Sequence, residues 1–129
     1  MAKILVVDDD ADIRALVETR LRRLGHRVVS AGTGEEALGV IAEKGSPDVV
    51  VLDVLMPGMS GLELLSTIRE DPALNRVPAI FLSGRVLETD IEAGRALGAR
   101  YLTKPVVLSA LASAVDTVLQ DEAVGAGSW

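Results

Sequence analysis

Cysteine is missing altogether from these 129 residues. That excludes a disulfide framework and any thiolate metal site. Aromatic residues are almost missing too. Phe81, Tyr101 and Trp129 are the whole set, so whatever core the chain buries must be aliphatic. No apolar run approaches the length of a membrane span, and no charged leader with an apolar secretory segment precedes the first strand-like stretch. The expectation is a cytoplasmic protein without a membrane partner. Basic residues are outnumbered, thirteen to nineteen acidic, for a formal net charge of −6. A phosphate backbone needs clustered Lys and Arg, so nucleic acid is not expected as a direct partner. Arg14, Arg20, Arg22, Arg23 and Arg27 do gather near one helix, and read as a solvated helix face with favourable charge near its C-terminus. A glycine-rich nucleotide loop is also lacking, which counts against a dinucleotide or nucleoside triphosphate site.

What is present is a regular alternation. Short apolar runs read as strands at Ile4 to Val7, Arg27 to Ala31, Asp48 to Leu52, about Pro78 to Leu82, and about Arg100 to Leu102. In Ile4 to Val7, continuous apolar character over so few residues suits a strand buried on both faces. Between them lie stretches of helical period. The first places Ile13, Leu16, Val17, Leu21 and Leu24 on one stripe, with Gly25 where a left-handed cap is wanted. Thr33 to Glu36, Ser60 to Glu63 and Thr89 to Glu92 each match a capping box that opens a helix. The third helix turns Leu62, Leu65 and Ile68 inward and closes at Asp71-Pro72. The fifth carries Leu108, Leu111, Val115, Val118 and Leu119. Five strands alternating with five helices predict an α/β fold, a doubly wound parallel sheet covered on both faces. Residues 1–120 form one domain, and 121–129 read as a flexible tail or linker stub.

Four polar stretches stand at the ends of four of these strands. They are Asp8-Asp9-Asp10, Asp53, Ser83 and Lys104-Pro105. Parallel strands bring such ends to one edge of one sheet, where ligands of open α/β sheets bind. Three carboxylates, a hydroxyl and an ammonium would then share a pocket. Two like charges about 4 Å apart repel by roughly 4 kcal/mol at an effective dielectric of about 20. A hard divalent cation relieves that, and an all-oxygen ligand set without His or Cys favours magnesium. Such a pocket suits a phosphoryl group, with the chemistry on Asp53. Each residue alone has a plainer reading. Asp10 and Asp12 suit a helix N-terminus, Ser83 a turn, Lys104 the surface. The four together are specific.

These stretches resemble the receiver domain, the phosphoacceptor module of two-component response regulators. The resemblance runs from about Lys3 to Leu119. It rests on Leu5 to Asp10, Asp53-Val54-Leu55-Met56-Pro57-Gly58-Met59-Ser60-Gly61, Leu82-Ser83-Gly84 and Tyr101-Leu102-Thr103-Lys104-Pro105. It implies a flavodoxin-like sheet of strand order 2-1-3-4-5, the order for which the family already serves as a standard illustration. It implies that Asp53 takes a phosphoryl group from a phosphohistidine of a sensor histidine kinase or histidine phosphotransfer domain. Asp8 and Asp9 would hold Mg2+, with Asp53 and the backbone carbonyl of Leu55. Lys104 would pair with the phosphoryl oxygens and Ser83 would donate a hydrogen bond to them. Tyr101 would turn inward, changing the surface of the fourth helix, fifth strand and fifth helix. A cis bond before Pro105 is implied as well. The chain would be a phosphoacceptor that assists its own phosphorylation and dephosphorylation, not an enzyme acting on a separate substrate. Its downstream target or output domain, and any phosphorylation-dependent homodimer, are not specified by these residues.

The chain departs from the family in a few places. One residue, Arg100, separates Ala99 from Tyr101 where two are more usual. Val106 replaces a phenylalanine. Val107 offers no cap to the fifth helix, which weakens its first turn by roughly 1 kcal/mol. Leu55 and Arg85 stand at the positions that flank the attacking water, and an apolar Leu55 does not orient water, so the phosphoryl state is expected to be long-lived. Two rival readings remain. A haloacid-dehalogenase-like phosphatase would use Asp8 and Asp10, but leaves Asp9 and Asp53 unexplained. A passive interaction module would leave the whole pocket unexplained.

Overall fold

In the computed structural model, which describes residues 2–84 and 88–121, five strands and five helices alternate along the chain. They are β1 (Lys3–Val7), α1 (Ala11–Arg23), β2 (Arg27–Ala31), α2 (Gly34–Lys44), β3 (Val49–Asp53), α3 (Gly61–Glu70), β4 (Ala79–Ser83), α4 (Glu88–Ala96), β5 (Ala99–Thr103) and α5 (Leu108–Asp121). The strands form one parallel sheet in the order β2-β1-β3-β4-β5. The expected fold and strand order are therefore observed.

The apolar runs divide between two cores because successive strand residues face opposite ways. Leu5, Val7, Val50, Leu52, Ala79 and Phe81 face α2 and α3. Ile4, Val6, Val49, Val51, Ile80 and Leu82 face α1 and α5. This is why the central strands show no polar alternation: both faces are covered. Every residue of β3 and β4 is buried.

Strand ends differ slightly from expectation. The third strand begins at Val49 and runs through Asp53, the fourth runs from Ala79 through Ser83, and the fifth spans Ala99 to Thr103. Asp48 instead ties the start of β3 to β1. Its N–H donates to the Lys3 carbonyl at 2.7 Å, and its Oδ2 accepts from Lys3 N at 3.0 Å.

The helix faces need two corrections. On α1 only Val17 and Leu21 are buried, whereas Leu16 and Leu24 are 49% and 45% exposed. The face in contact with sheet and α5 is narrower than the five-residue stripe, and its edges reach solvent. On α3 the buried set is Leu64, Leu65 and Ile68, with Leu62 only half-buried. The α5 residues Leu111, Val115 and Val118 are buried as expected.

Caps follow local chemistry. Asp10 Oδ1 accepts from Asp12 N and Ile13 N. Ser60 and Glu63 form a reciprocal box at 3.1 and 3.2 Å. Thr33 accepts from Glu36 N, but Glu36 reaches one residue further back than a box requires, to Gly32 N at 2.8 Å. Gly25 has φ +93°, the left-handed conformation expected there. The side chains of the Thr89 capping match, and residues 122–129, lie outside the described residues.

Val107 occupies the N-cap position of α5. Its carbonyl accepts from Leu111 N at 3.0 Å, and its side chain is 59% exposed with no oxygen to offer. Val107→Ser should supply the missing acceptor at little apolar cost. It is expected to raise stability by about 1 kcal/mol, read as a higher urea midpoint at unchanged slope.

Candidate functional site

Strand register builds the site. Val7 pairs with Leu52, so the next residues, Asp8 and Asp53, emerge side by side from β1 and β3. Ser83 pairs with Thr103, so Lys104 leaves β5 one step beyond Ser83. The winding direction reverses between β1 and β3, which leaves a crevice at their carboxyl ends. Asp8, Asp9, Asp53, Ser83 and Lys104 all stand at this edge.

The side chains converge as the sequence implied. Lys104 Nζ lies 3.1 Å from Asp8 Oδ2 and 3.2 Å from Asp53 Oδ2. Asp8, Asp53 and Ser83 are buried, while Asp9 is exposed at the mouth. Among the described residues, carboxylate oxygens of Asp8, Asp9 and Asp53 lie within 4.8 Å of one another. An all-oxygen cluster of that size fits a hard divalent cation. The peptide bond between Lys104 and Pro105 is cis.

Burial pushes the Asp53 carboxyl above its ordinary pKa. The Lys104 charge opposes this and the Asp8 charge adds to it. Burial alone would pull Lys104 down, but its hydrogen bond to Asp8 and the charges of Asp53 and Asp8 outweigh that and hold it above the usual lysine value. Lys104 is thus an ammonium kept charged first by its hydrogen bond to Asp8 and then by Asp53, while burial works against ionisation of Asp53.

Backbone contacts fix the acidic groups. Asp10 N donates to Asp8 Oδ1 at 2.9 Å, and Leu55 N donates to Asp53 Oδ1 at 3.2 Å. Lys104 N donates to the Ser83 carbonyl at 2.7 Å, which locks the β5 end to the β4 end.

One contributor escaped sequence reasoning. Arg14, grouped above with a solvated basic face, donates from Nη1 to the Asp8 carbonyl at 2.7 Å. It therefore holds the peptide that leads into Asp9. Its spacing of six from Asp8, one turn into α1, was the available signal. Arg22 is engaged as well, with Glu18 at 2.8 Å and the Val28 carbonyl at 3.0 Å. Gly61 does what its place after Pro57-Gly58 in the sequence implies, shaping the turn after Asp53 where backbone passes close to the site. A Cβ there would overlap the Asp53 carbonyl oxygen and stand 3.0 Å from the Phe81 ring. The turn after Asp53 must pass this close, since Gly61 N donates to the Val54 carbonyl at 2.8 Å.

Tyr101 packs at the edge of the core. Its ring stacks on Phe81 at a centroid distance of 5.1 Å, and a Cβ on Gly94 of α4 would overlap its hydroxyl. Val106 packs against the α1–α5 core in place of a larger side chain. Leu55 is 58% exposed beside Asp53. Arg85 lies outside the described residues.

Comparison with known proteins agrees with this geometry. The family model "Response regulator receiver domain" matches residues 4–116. Protein PilH of Pseudomonas aeruginosa is 35% identical over 120 residues, covering 92% of this chain and 98% of its own length. The transcriptional regulatory protein AfsQ1 of Streptomyces coelicolor is 37% identical over 93% of this chain, which spans only 52% of that relative. The chain thus spans about half the length of some curated relatives and nearly all of another. Among solved structures, the chemotaxis protein CheY4 of Vibrio cholerae superposes with a TM-score of 0.86 at 33% identity, over 92% of this chain and 99% of that one. No helix among the described residues is long and apolar enough to cross a membrane.

Two outcomes follow from the geometry. Gly61→Ala should cost about 1–3 kcal/mol through backbone overlap and should weaken divalent-cation binding, both measurable by denaturation with and without the cation. The raised Asp53 pKa gives a signed pH effect. The native state holds this proton more tightly than the unfolded chain, so its contribution is full below the unfolded pKa and is lost as pH rises through the native one. In metal-free buffer, Asp53→Asn should therefore be more stable than the parent at pH 7, and the difference should shrink as pH falls. A parent protein more stable than Asp53→Asn at pH 7 would contradict it.

Proposed function

The chain belongs to the response regulator receiver family, and from that premise we propose that Asp53 is the phosphoacceptor of a two-component or phosphorelay switch. The observation that carries this reading is the Lys104 ammonium set between the Asp8 and Asp53 carboxylates.

The donor is a phosphohistidine of a sensor kinase or histidine phosphotransfer domain. An ionised Asp53 oxygen attacks phosphorus, an O–P bond forms and the P–N bond to the donor imidazole breaks. The imidazole leaves with the bonding pair and takes up a proton. Such a transfer needs positioning and charge stabilisation rather than further covalent chemistry. Lys104 lies 3.2 Å from the attacking carboxylate and is placed to pair with the phosphoryl oxygens. By opposing the rise in the Asp53 pKa, it also favours the ionised nucleophile. The Ser83 hydroxyl donates a hydrogen bond to the phosphoryl group. Bound among Asp8, Asp9, Asp53 and the Leu55 carbonyl, magnesium supplies neutralising charge there.

Leu55 and Val107 stand on the loops that carry Asp53 and Lys104, each more than half exposed. They give the mouth of the site an apolar rim for a donor protein. On phosphorylation Ser83 and Tyr101 adjust together, and the surface of α4, β5 and α5 changes. The Tyr101 ring rests on Phe81 and Gly94, and these are the contacts through which such a change would reach α4. Leu55 provides no group to orient water, so the phosphoryl group persists.

Phosphoramidate with magnesium should add the mass of one phosphoryl group to the intact protein. Asp53→Asn should abolish the adduct, and so should a chelator. The adduct should decay slowly in a phosphate-release assay. Continuous turnover of donor would instead indicate a phosphatase, and no adduct would indicate a passive module.

A further inference from the structure

The three carboxylates of the acidic pocket are held unequally. Asp8 is fixed from two directions, by Asp10 N at 2.9 Å and by Lys104 Nζ at 3.1 Å. Asp53 is fixed by Leu55 N at 3.2 Å and by the same Nζ at 3.2 Å. Both are buried, whereas Asp9 is exposed. An exposed side chain takes its position from the backbone that carries it. For Asp9 that backbone begins with the peptide joining it to Asp8.

Arg14 holds this peptide. Its Nη1 donates to the Asp8 carbonyl at 2.7 Å, from the start of α1. On the other side of the same residue, Asp8 N donates to the Ala31 carbonyl at 3.2 Å, at the end of β2. The guanidinium is itself seated. A Cβ on Gly32 would stand 3.2 Å from Arg14 Nη1 and 3.7 Å from Glu36 Oε2, so a cation and a carboxylate flank bare backbone there. Glu36 Oε2 also accepts from Gly32 N at 2.8 Å, which keeps the carboxylate on this side of the turn. A purely structural account has Arg14 pinning the β2–α2 turn to α1. That covers the fit to Gly32. It does not cover the bond itself, because the acceptor belongs to Asp8 and not to the turn.

We propose that Arg14 is a positioning residue for the divalent-cation site, acting on Asp9 through the Asp8–Asp9 peptide. This rests on reading Asp8, Asp9 and Asp53 as that site. Ligands fixed in advance lose less freedom when a cation arrives. Groups that orient metal ligands without touching the metal commonly change its affinity by about tenfold or more. Charge alone predicts the opposite direction. A guanidinium near a dication repels it, so its removal would tighten binding, and Glu36 offsets part of that repulsion. A tether and a charge therefore differ in the sign of their effect.

The test is magnesium titration of the isotope-labelled full chain at constant ionic strength, followed by amide NMR shifts at Asp9, Asp10 and Leu55. Saturable shifts are expected in the parent. Arg14→Met removes the donor and the charge and should raise the Kd about tenfold. Arg14→Lys keeps the charge and loses the planar fork, and should also raise the Kd; it replaces Arg14→Met if that variant does not fold. In an Asp9→Asn background, Arg14→Met should change the Kd by less than about twofold, because the route through Asp9 is already lost. A merely structural role would lower the thermal midpoint in chelator and leave the Kd of the folded protein unmoved. An unchanged or tighter Kd in Arg14→Met overturns the positioning role, and a full effect retained beside Asp9→Asn overturns the route through Asp9. A parent that shows no saturable shift overturns the cation site itself, and this inference with it, before any variant is compared.

Discussion

One ammonium held between two buried carboxylates sets the terms for this structure. Asp8 and Asp53 are 1% and 7% exposed. Unrelieved, like charges about 4 Å apart at an effective dielectric near 20 cost about 4 kcal/mol, on top of the desolvation of each. Lys104 offsets that by reaching both oxygens. The residual cost shows in the raised Asp53 pKa, where burial outweighs the lysine. A folded state that leaves this carboxylate under-compensated favours further positive charge beside it. Stability is forgone at the candidate site, the pattern in which local cost and function commonly coincide.

Placement of these groups costs little because the sheet does it. A parallel sheet fixes strand ends at one edge, and its register fixes which ends are neighbours. Val7 opposite Leu52 makes Asp8 and Asp53 adjacent, and Ser83 opposite Thr103 brings Lys104 alongside. The aliphatic layers on both faces then hold the register, because a one-residue slip would exchange the two cores.

That logic explains what was legible in the amino-acid order. Strand runs buried on both faces have a continuous apolar signature, so the central strands β1, β3 and β4 and the polar residues that end them could be read directly, whereas the edge strands β2 and β5 are only partly buried. Helix surfaces were less legible. Leu16 and Leu24 satisfy the same spacing as Val17 and Leu21, and only the limited width of the α1 contact separates exposed from buried. Arg14 was hidden for another reason. A guanidinium that bonds a backbone carbonyl leaves no pattern of partner side chains to find. Gly61 was legible as a turn residue where backbone passes close to the site, but Gly94 was not, because the Tyr101 hydroxyl it must avoid is placed only by tertiary packing.

Those two glycines also mark where the structure has no slack. The Gly61 backbone lies against the Asp53 carbonyl on one side and the Phe81 ring on another. Phe81 in turn stacks on Tyr101, and Tyr101 abuts Gly94 of α4. At each of the two glycines a single added carbon would collide. Phe81 is fully buried in β4, so it cannot yield by moving into solvent. A shift of the turn after Asp53 must therefore be absorbed either by Gly61 moving away from the sheet or by the Phe81–Tyr101 stack. Spatial continuity alone is not coupling. What makes it physical here is close packing, since interiors of this density respond by switching between discrete arrangements rather than by gradual compression. The aromatic pair, in a chain that otherwise has an aliphatic core, stands on the line between Asp53 and the α4–β5 surface.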